Sequence, residues 1–354
     1  MSGGVDSSVA AARLVQEGYR VVGMMLRLWS EPGLEAANRC CTPEAMSLAR
    51  RVAAQLEIPF YAVDVRQAFH AQIVQPFIDG YTQGLTPNPC LSCNRQVRFG
   101  LLLQQAQALG AAYLATGHYA RLRRMEQGQV QLLTGLDGEK DQSYALSMLR
   151  QAQLSQALFP IGELAKPQVR HLAREFNLPV AERADSQDLC FLAGEDYREF
   201  LLRHAPQAAA PGPIEDLGGR RLGQHQGLAF YTIGQRKGLG LAASHPFYVL
   251  AKDLASNTLI VGPAEQLGWR ELVAAQVNWI SGAAPPDPLP VQVKIRYKAR
   301  LADAVLAPLE GGRVHLRFRA PLRDVTPGQA AVFYDGEVCL GGAIIEQALR
   351  GGAP

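Results

Sequence analysis

Apolar and polar positions follow two different periods along this chain. Over the first two hundred residues, stretches with helical spacing take turns with short apolar runs. Val9–Gln16 has the spacing of a helix, with Gly18 as its stop. Val21–Leu26 is a continuous apolar run, as in a strand buried on both faces. Pro43–Leu56 predicts a helix with Thr42 as N-cap and Pro43 at the first position, where its missing N–H is no loss. Pro59–Val65 predicts a second strand, Arg95–Ala108 a helix and Ala111–Thr116 a third strand. This alternation predicts an α/β domain with a parallel sheet. Ala205–Pro213, rich in Ala and Pro, predicts a linker.

Beyond the linker the period shortens to two. Val291–Arg300 and Val314–Arg319 alternate cleanly, which predicts strands with one buried and one wet face. On the first of them the wet face would carry Lys294, Arg296, Lys298 and Arg300. Three parts are therefore expected: an α/β domain over residues 1–204, a small mixed or β domain over 205–268 and a C-terminal β-barrel over 269–354. No internal repeat is visible.

Composition narrows the function classes. Hydrophobic residues make up 48% of 354, enough for a large core, while charged residues are 19% and the net charge is only +3. Bulk charge does not mark a nucleic-acid binder, so any RNA site must be a local basic patch. No apolar run reaches membrane-span length and nothing at the start reads as a signal peptide, so a soluble cytoplasmic protein is expected. The six cysteines, at positions 40, 41, 90, 93, 190 and 339, are too sparse for a secreted disulfide scaffold of this length. In a reducing compartment they point to catalysis or metal binding.

Two local patterns carry chemistry. The first is Ser2-Gly3-Gly4-Val5-Asp6-Ser7-Ser8, directly before a helical stretch. Two glycines let backbone amides approach a ligand, and a helix N-terminus with open N–H groups attracts anions. The pattern lacks the Gly-Lys-Ser/Thr ending of a Walker loop. Such a loop ordinarily follows a central strand, for which Met1 leaves no room. The expectation is that the true start lies upstream, the alternative being a sheet without its middle strand. The second pattern is Thr86-Pro87-Asn88-Pro89-Cys90-Leu91-Ser92-Cys93-Asn94, two cysteines three apart on a proline-stiffened loop. It is joined a hundred residues later by Asp185-Ser186-Gln187-Asp188-Leu189-Cys190-Phe191. The vicinal pair Cys40-Cys41 reads as packing at a helix start, with redox or sulfur relay as the alternative, and Cys339 as a buried strand residue.

Together these residues resemble the bacterial tRNA-specific 2-thiouridylase family. The loop by itself is similar to that of the ATP pyrophosphatases, which split ATP between its α- and β-phosphates. The resemblance continues through Ala115–Tyr119, Lys140–Tyr144, Tyr231–Gly238, Arg296-Tyr297, Pro327–Gln329 and Cys339–Gly342, and covers essentially the whole chain. It implies an adenine nucleotide alpha hydrolase-like fold for the first domain. It also implies ATP with Mg2+ on Ser2, Gly3, Gly4, Val5, Asp6, Ser7 and Ser8, on Leu26 and on Gly117. Asn88, Pro89 and Cys90 would face the target base, and His118, Lys140, Asp141, Gln142, Arg296, Tyr297 and Gln329 would contact tRNA. Cys190 would carry a persulfide supplied by a sulfur-carrier or cysteine desulfurase relay protein. Cys93 would release the sulfur by a transient disulfide with Cys190, and both roles need thiolates.

Cys90 departs from the best-known family pattern, which has an aspartate there. With Cys93 and Cys190 it makes a trio open to three readings: a 4Fe–4S cluster with one open iron, a redox set without metal, or a zinc site. Two other functions compete. A small-metabolite synthetase would explain the loop but not the cysteines. A non-enzymatic RNA-binding protein would not need an intact Ser/Gly/Asp/Ser pattern.

Overall fold

The computed structural model describes residues 1–33, 42–184, 189–242 and 245–350; Cys40, Cys41 and the Asp185–Asp188 part of the second cysteine motif lie outside the described residues. The first helix, α1 (Val5–Gln16), begins four residues before the periodicity shows it. Ser8 is the reason: its side chain is fully buried and its hydroxyl bonds to the Gly4 carbonyl at 2.9 Å, so a polar residue fills a core position. The strand β1 (Gly23–Arg27) follows, then α2 (Pro43–Gln55), capped by Thr42, whose hydroxyl accepts from the Ala45 amide at 3.0 Å. Next come β2 (Phe60–Asp64), a helical stretch from Arg66 to Thr82 and a second helical run that starts at Pro89, earlier than the sequence pattern shows. That run winds as a π-helix over Cys93–Leu102 before returning to α geometry at Leu103–Ala108. A π-helical segment of this length is rare, and such segments concentrate at functional sites.

Chain order continues with β3 (Leu114–Ala115), the hairpin β4 (Ala120–Arg124) and β5 (Val130–Thr134), and β6 (Ala157–Leu158). The parallel strands pair as β1–β2 and β3–β6, two short sheets rather than one. Met1 lies beside β1, its amino group bonded to the Met24 carbonyl.

The stretch expected as a linker is packed structure. Ala205 is 1% exposed, Pro206–Ala209 form a 3-10 turn, and Gly212 already belongs to β7 (Gly212–Glu215), where a Cβ would sit 2.1 Å from the Asn257 carbonyl oxygen. Small side chains here allow close backbone approach rather than looseness. With β8 (Arg221–His225), β9 (Tyr248–Asp253) and β10 (Thr258–Gly262), β7 builds a sheet in the order 8-7-10-9. Its Ile214, Val249 and Leu259 share one core with Phe69, Phe77 and Phe200 of the first part.

The last part is a closed barrel of β11 (Trp269–Trp279), β12 (Leu289–Lys294), β13 (Ala302–Leu309), β14 (Arg313–Leu322), β15 (Ala330–Asp335) and β16 (Val338–Leu349). Its order is 11-14-13-12-15-16, and β16 pairs back onto β11. Val293, Leu306, Leu316 and Phe333 fill the interior. The hairpin β4–β5 extends this sheet, with Leu132 and Leu133 opposite Cys339 and Val338. The predicted basic strand face is corrected: β12 stops at Lys294, so Arg296, Lys298 and Arg300 lie in the turn beyond it. Burial keeps alternating as far as Arg296, which is why the pattern reads as strand. Among the described residues no helix is long and apolar enough to cross a membrane.

Candidate active site

The loop before α1 is set by hydrogen bonds of its own. The Ser2 amide donates to Ser7 Oγ at 3.1 Å, and Ser7 Oγ lies 3.3 Å from the Gly4 carbonyl. Gly3 has φ +71°, and a Cβ there would sit 2.4 Å from the Ala45 carbonyl oxygen. Only glycine adopts that conformation freely, and only glycine fits the space. A Cβ at Gly117 would fall 2.6 Å from the Asp6 carbonyl carbon and 2.7 Å from the Ser7 amide nitrogen, so the chain after β3 leans directly on the first turn of α1. Leu26, half-buried on β1, packs against two cores.

The side chains around Asp6 come from distant segments. Tyr119 donates its hydroxyl to Asp6 Oδ1 at 2.8 Å. Lys166, first residue of the helix Lys166–Glu175, places Nζ 2.7 and 2.9 Å from the two carboxylate oxygens. Arg183 donates to the Gly3 carbonyl at 2.6 Å. None of these three was singled out from sequence. Tyr119 ends a motif that was quoted for other reasons, whereas Lys166 and Arg183 have no local signature and are identified only by the fold.

A second cluster forms where the cysteine loop meets the barrel. The Thr86 amide donates to the Pro327 carbonyl at 2.9 Å, and Gln329 Nε2 donates to the Thr86 carbonyl at 2.9 Å. Asn88 caps the short helix Pro89–Ser92 by accepting from the Cys90 amide at 3.2 Å. Tyr144, buried at the centre, donates to the Ala330 carbonyl at 3.0 Å, and Asn88, Cys90 and Arg296 are near enough to act on its phenol. Tyr297 stands edge-on to Tyr144 with ring centroids 6.2 Å apart. Burial, then the charges of Asp141 and Cys90, push the Tyr297 phenol up. Asn88, Pro89, Cys90, Arg296, Tyr297 and Gln329 are thus brought to one junction.

Other residues expected at an RNA surface sit elsewhere. His118 is 5% exposed, bonded to Thr116 Oγ1 at 2.7 Å and packed by Phe99 and Phe159. Burial, with Arg98 nearby, brings its pKa down to about 3, so it is neutral. Asp141, also buried, accepts from the amides of Gly135 and Ser143 and pairs with Lys294 at 3.2 Å. Gln142 bonds the Tyr119 backbone in both directions, at 2.8 and 3.0 Å. Lys140 is half-buried in the turn that Asp137 closes.

The thiols differ in setting. Cys93 starts the π-helix and is buried in the cluster that holds Phe69, Phe77 and Phe191, and Cys190, half-buried, packs against the same cluster. Cys90 is exposed. Among the described residues no group of three or more His, Cys, Asp or Glu side chains is placed to hold a metal ion. Cys339 is fully buried in β16, and burial pushes its thiol well up, as for a packing residue.

Three family models cover the chain. One described as "tRNA methyl transferase HUP domain" matches residues 1–194, "tRNA methyl transferase PRC-barrel domain" residues 198–263 and "Aminomethyltransferase beta-barrel domain" residues 269–345. A protein of Moorella thermoacetica named tRNA-specific 2-thiouridylase MnmA is 48% identical over 349 residues, which span 98% of each chain. Its namesake from Chloroflexus aggregans is 48% identical over 98% of this chain and 96% of that one. The one from Roseiflexus castenholzii is 47% identical over 98% and 97%. With this likeness spanning 98% of the chain, the chain belongs to the tRNA-specific 2-thiouridylase family.

Proposed function

We propose that this chain is a tRNA-uridine 2-sulfurtransferase that activates C2 of a wobble uridine with ATP and then replaces its oxygen by sulfur. The observation that carries the reading is the loop at α1, with glycine approach at Gly3 and Gly117 and an Asp6 carboxylate aligned by Tyr119 and Lys166. A phosphate-binding loop in one fold with two thiols suits adenylation and sulfur transfer better than the methyl transfer named in two family descriptions. Residues 1–204 would form the catalytic domain, 205–268 the central one and 269–354 the barrel, a division supported by the spans of the family matches.

Uridine O2 attacks the α-phosphorus of ATP and pyrophosphate leaves, which makes O2 part of a good leaving group. Ser2–Ser8, Leu26 and Gly117 hold the nucleotide. Asp6 would hold Mg2+ through a hard carboxylate oxygen, and the bound ion would offset phosphate charge. A sulfur-carrier or desulfurase relay protein charges Cys190 with a persulfide. Its terminal sulfur attacks C2, and AMP departs with the oxygen. The Cys93 thiolate then attacks the Cys190 sulfur, breaking the S–S bond to release 2-thiouridine and leaving a Cys93–Cys190 disulfide for a thiol reductant to reopen. Packing of Cys93 and Cys190 on one hydrophobic core supports this route, with sulfur carried on a 4Fe–4S cluster held by Cys90, Cys93 and Cys190 as the alternative. Asn88, Pro89 and Cys90 face the base, and Arg296, Tyr297 and Gln329 serve the RNA from the barrel. Lys140, half-buried in its turn, and His118, Asp141 and Gln142 complete the proposed tRNA contacts, His118 and Asp141 from buried positions.

The test supplies the protein with wobble-uridine tRNA, ATP and a persulfide donor and measures AMP and 2-thiouridine. Equal amounts of both, formed only with tRNA, are expected. AMP formed with a small metabolite but not with tRNA points to a synthetase, and nucleotide binding without AMP removes the enzyme reading.

A further inference from the structure

The backbone that leads into Asn88, Pro89 and Cys90 is gripped by both later parts of the chain. The helix Gln75–Thr82 ends at Gly84, whose φ of +74° turns the chain away; the Gly84 amide donates to Tyr81 and the Leu85 amide to Gly80. Lys252, on β9, donates from Nζ to the Gly84 carbonyl at 3.1 Å, and a Cβ on Gly84 would sit 2.8 Å from the Leu254 side chain. Gln329, at the start of β15, donates to the Thr86 carbonyl at 2.9 Å, and a Cβ on Gly328 would sit 2.8 Å from the Thr86 nitrogen. Two alternate carbonyls of one short strap are thus held by side chains from two other parts of the fold.

Lys252 directs its charge at a carbonyl rather than a carboxylate. Asp253 beside it is taken up by its own turn, accepting from the Ala255 amide at 3.0 Å and from Ser256 Oγ at 2.7 Å, and burial alone brings the Lys252 pKa down to about 8. Docking the sheet here needs no charge, since an apolar side chain such as Leu254 covers the same surface without the cost of desolvating a cation. What the ammonium adds is direction. A carbonyl cannot turn without its whole peptide plane, so fixing the Gly84 oxygen fixes the plane four residues before Asn88. Pro87 and Pro89 lock φ on either side of Asn88, which passes a displacement onward instead of absorbing it. Thr86 shows that the strap is held in place: its Oγ1 is buried without a hydrogen-bond partner, a cost of about 1–3 kcal/mol.

We propose that Lys252 is a positioning residue for the target base: through the Gly84 carbonyl it sets the strap Gly84–Pro87, and with it the place of Asn88, Pro89 and Cys90 against the uridine. This rests on the reading that those three residues face the base. Lys252 itself touches no substrate, and no bond to it forms or breaks.

The test compares the full wild-type chain with Lys252→Met, Lys252→Gln and Lys252→Arg. It measures single-turnover AMP formation at saturating ATP and wobble-uridine tRNA, together with the Kd for that tRNA. Misplacing reacting groups by about 1 Å can cost about 100-fold in rate, so the smaller shift expected from one lost hydrogen bond should slow Lys252→Met about tenfold. Affinity for tRNA should stay close to wild type, and Lys252→Arg, which keeps a charged donor, should recover most of the rate. Lys252→Gln carries the same expectation of slowing if the Met variant fails to fold. An unchanged rate in a folded, uncharged variant overturns the proposal. So does a loss of rate matched by an equal loss of tRNA affinity at lower tRNA, the mark of a direct RNA contact. Loss of fold in both uncharged variants overturns it too, since Lys252 would then only hold the sheet in place. Asn88→Ala separates the proposal from the reading beneath it. Full AMP formation in that variant removes the base-facing assignment, whereas loss there with an unchanged Lys252→Met overturns only the part given to Lys252.

Discussion

Around Asp6 the polar groups are in place before any ligand arrives: Tyr119 and Lys166 fix the carboxylate, Arg183 ties down Gly3, and Gly117 leans on the helix turn. The thiols are spread over a gradient instead, with Cys90 exposed, Cys190 half-buried and Cys93 buried among aromatic side chains. A phosphate site gains from fixed dipoles that need no rearrangement. The sulfur relay proposed above would meet a donor protein on the outside and a base on the inside, which suits thiols of graded exposure. On the proposed reading, adenylation draws on polar groups already held together, whereas sulfur transfer draws on thiols of graded exposure.

The strongest way to break that contrast is to remove the thiols. Cys190→Ser and Cys93→Ser should each eliminate 2-thiouridine while tRNA-dependent AMP formation continues, as read by mass spectrometry and nucleotide chromatography. Loss of both activities in either variant would mean that the two regions are not separable. Next in size is a stability effect where the first part meets the barrel, outside both regions. Asp141→Ala leaves Lys294, with its side chain 16% exposed, as an uncompensated cation. Losing one partner of a buried pair costs about 3–5 kcal/mol, and adding Lys294→Met should recover part of it in urea unfolding.

Acid provides a finer probe. His118 has a folded pKa of about 3 against an ordinary 6.5, so between those values the unfolded chain binds more protons. Its contribution to stability is intact above about pH 6.5 and is lost as pH falls toward 3. Thermal midpoints measured from pH 7 to 4 should therefore decline, and less steeply in His118→Asn; parallel curves would show that the buried imidazole is not responsible. The smallest effect is expected at Cys90. Cys90→Asp alters an exposed side chain and restores the commoner family residue, so 2-thiouridine formation should stay within a fewfold of wild type. A large loss of activity together with bound iron would instead favour a cluster, since a hard carboxylate replaces thiolate poorly there.

Where the sequence was informative, one residue type had one physical use. Thr42 before Pro43 reads as a cap and is one. Period-two runs mark the barrel strands because each has a wet and a dry face. The failures arise where a local pattern has two uses. Ala and Pro at 205–213 loosen a chain in solvent but here permit tight packing, and the alternation past Lys294 continues through a turn. Asp141 and His118, named from the resemblance as tRNA contacts, are buried with partners inside the fold, a placement that local sequence does not show. Lys166 was illegible because its meaning lies in a contact with Asp6, 160 positions away.

The hairpin β4–β5 has a consequence for how the chain is made. Its second strand, β5, pairs with Val338 and Cys339, about 200 residues later. At roughly 5–20 residues per second, a ribosome needs about 10–40 s to supply that partner. Through that interval the first part of the nascent chain can gather its helices, but β5 carries an unmatched edge that invites another strand. Truncations that keep residues 1–204 and discard the barrel freeze the polypeptide at this stage, and aggregation of such fragments would reflect a missing neighbour rather than a damaged catalytic core.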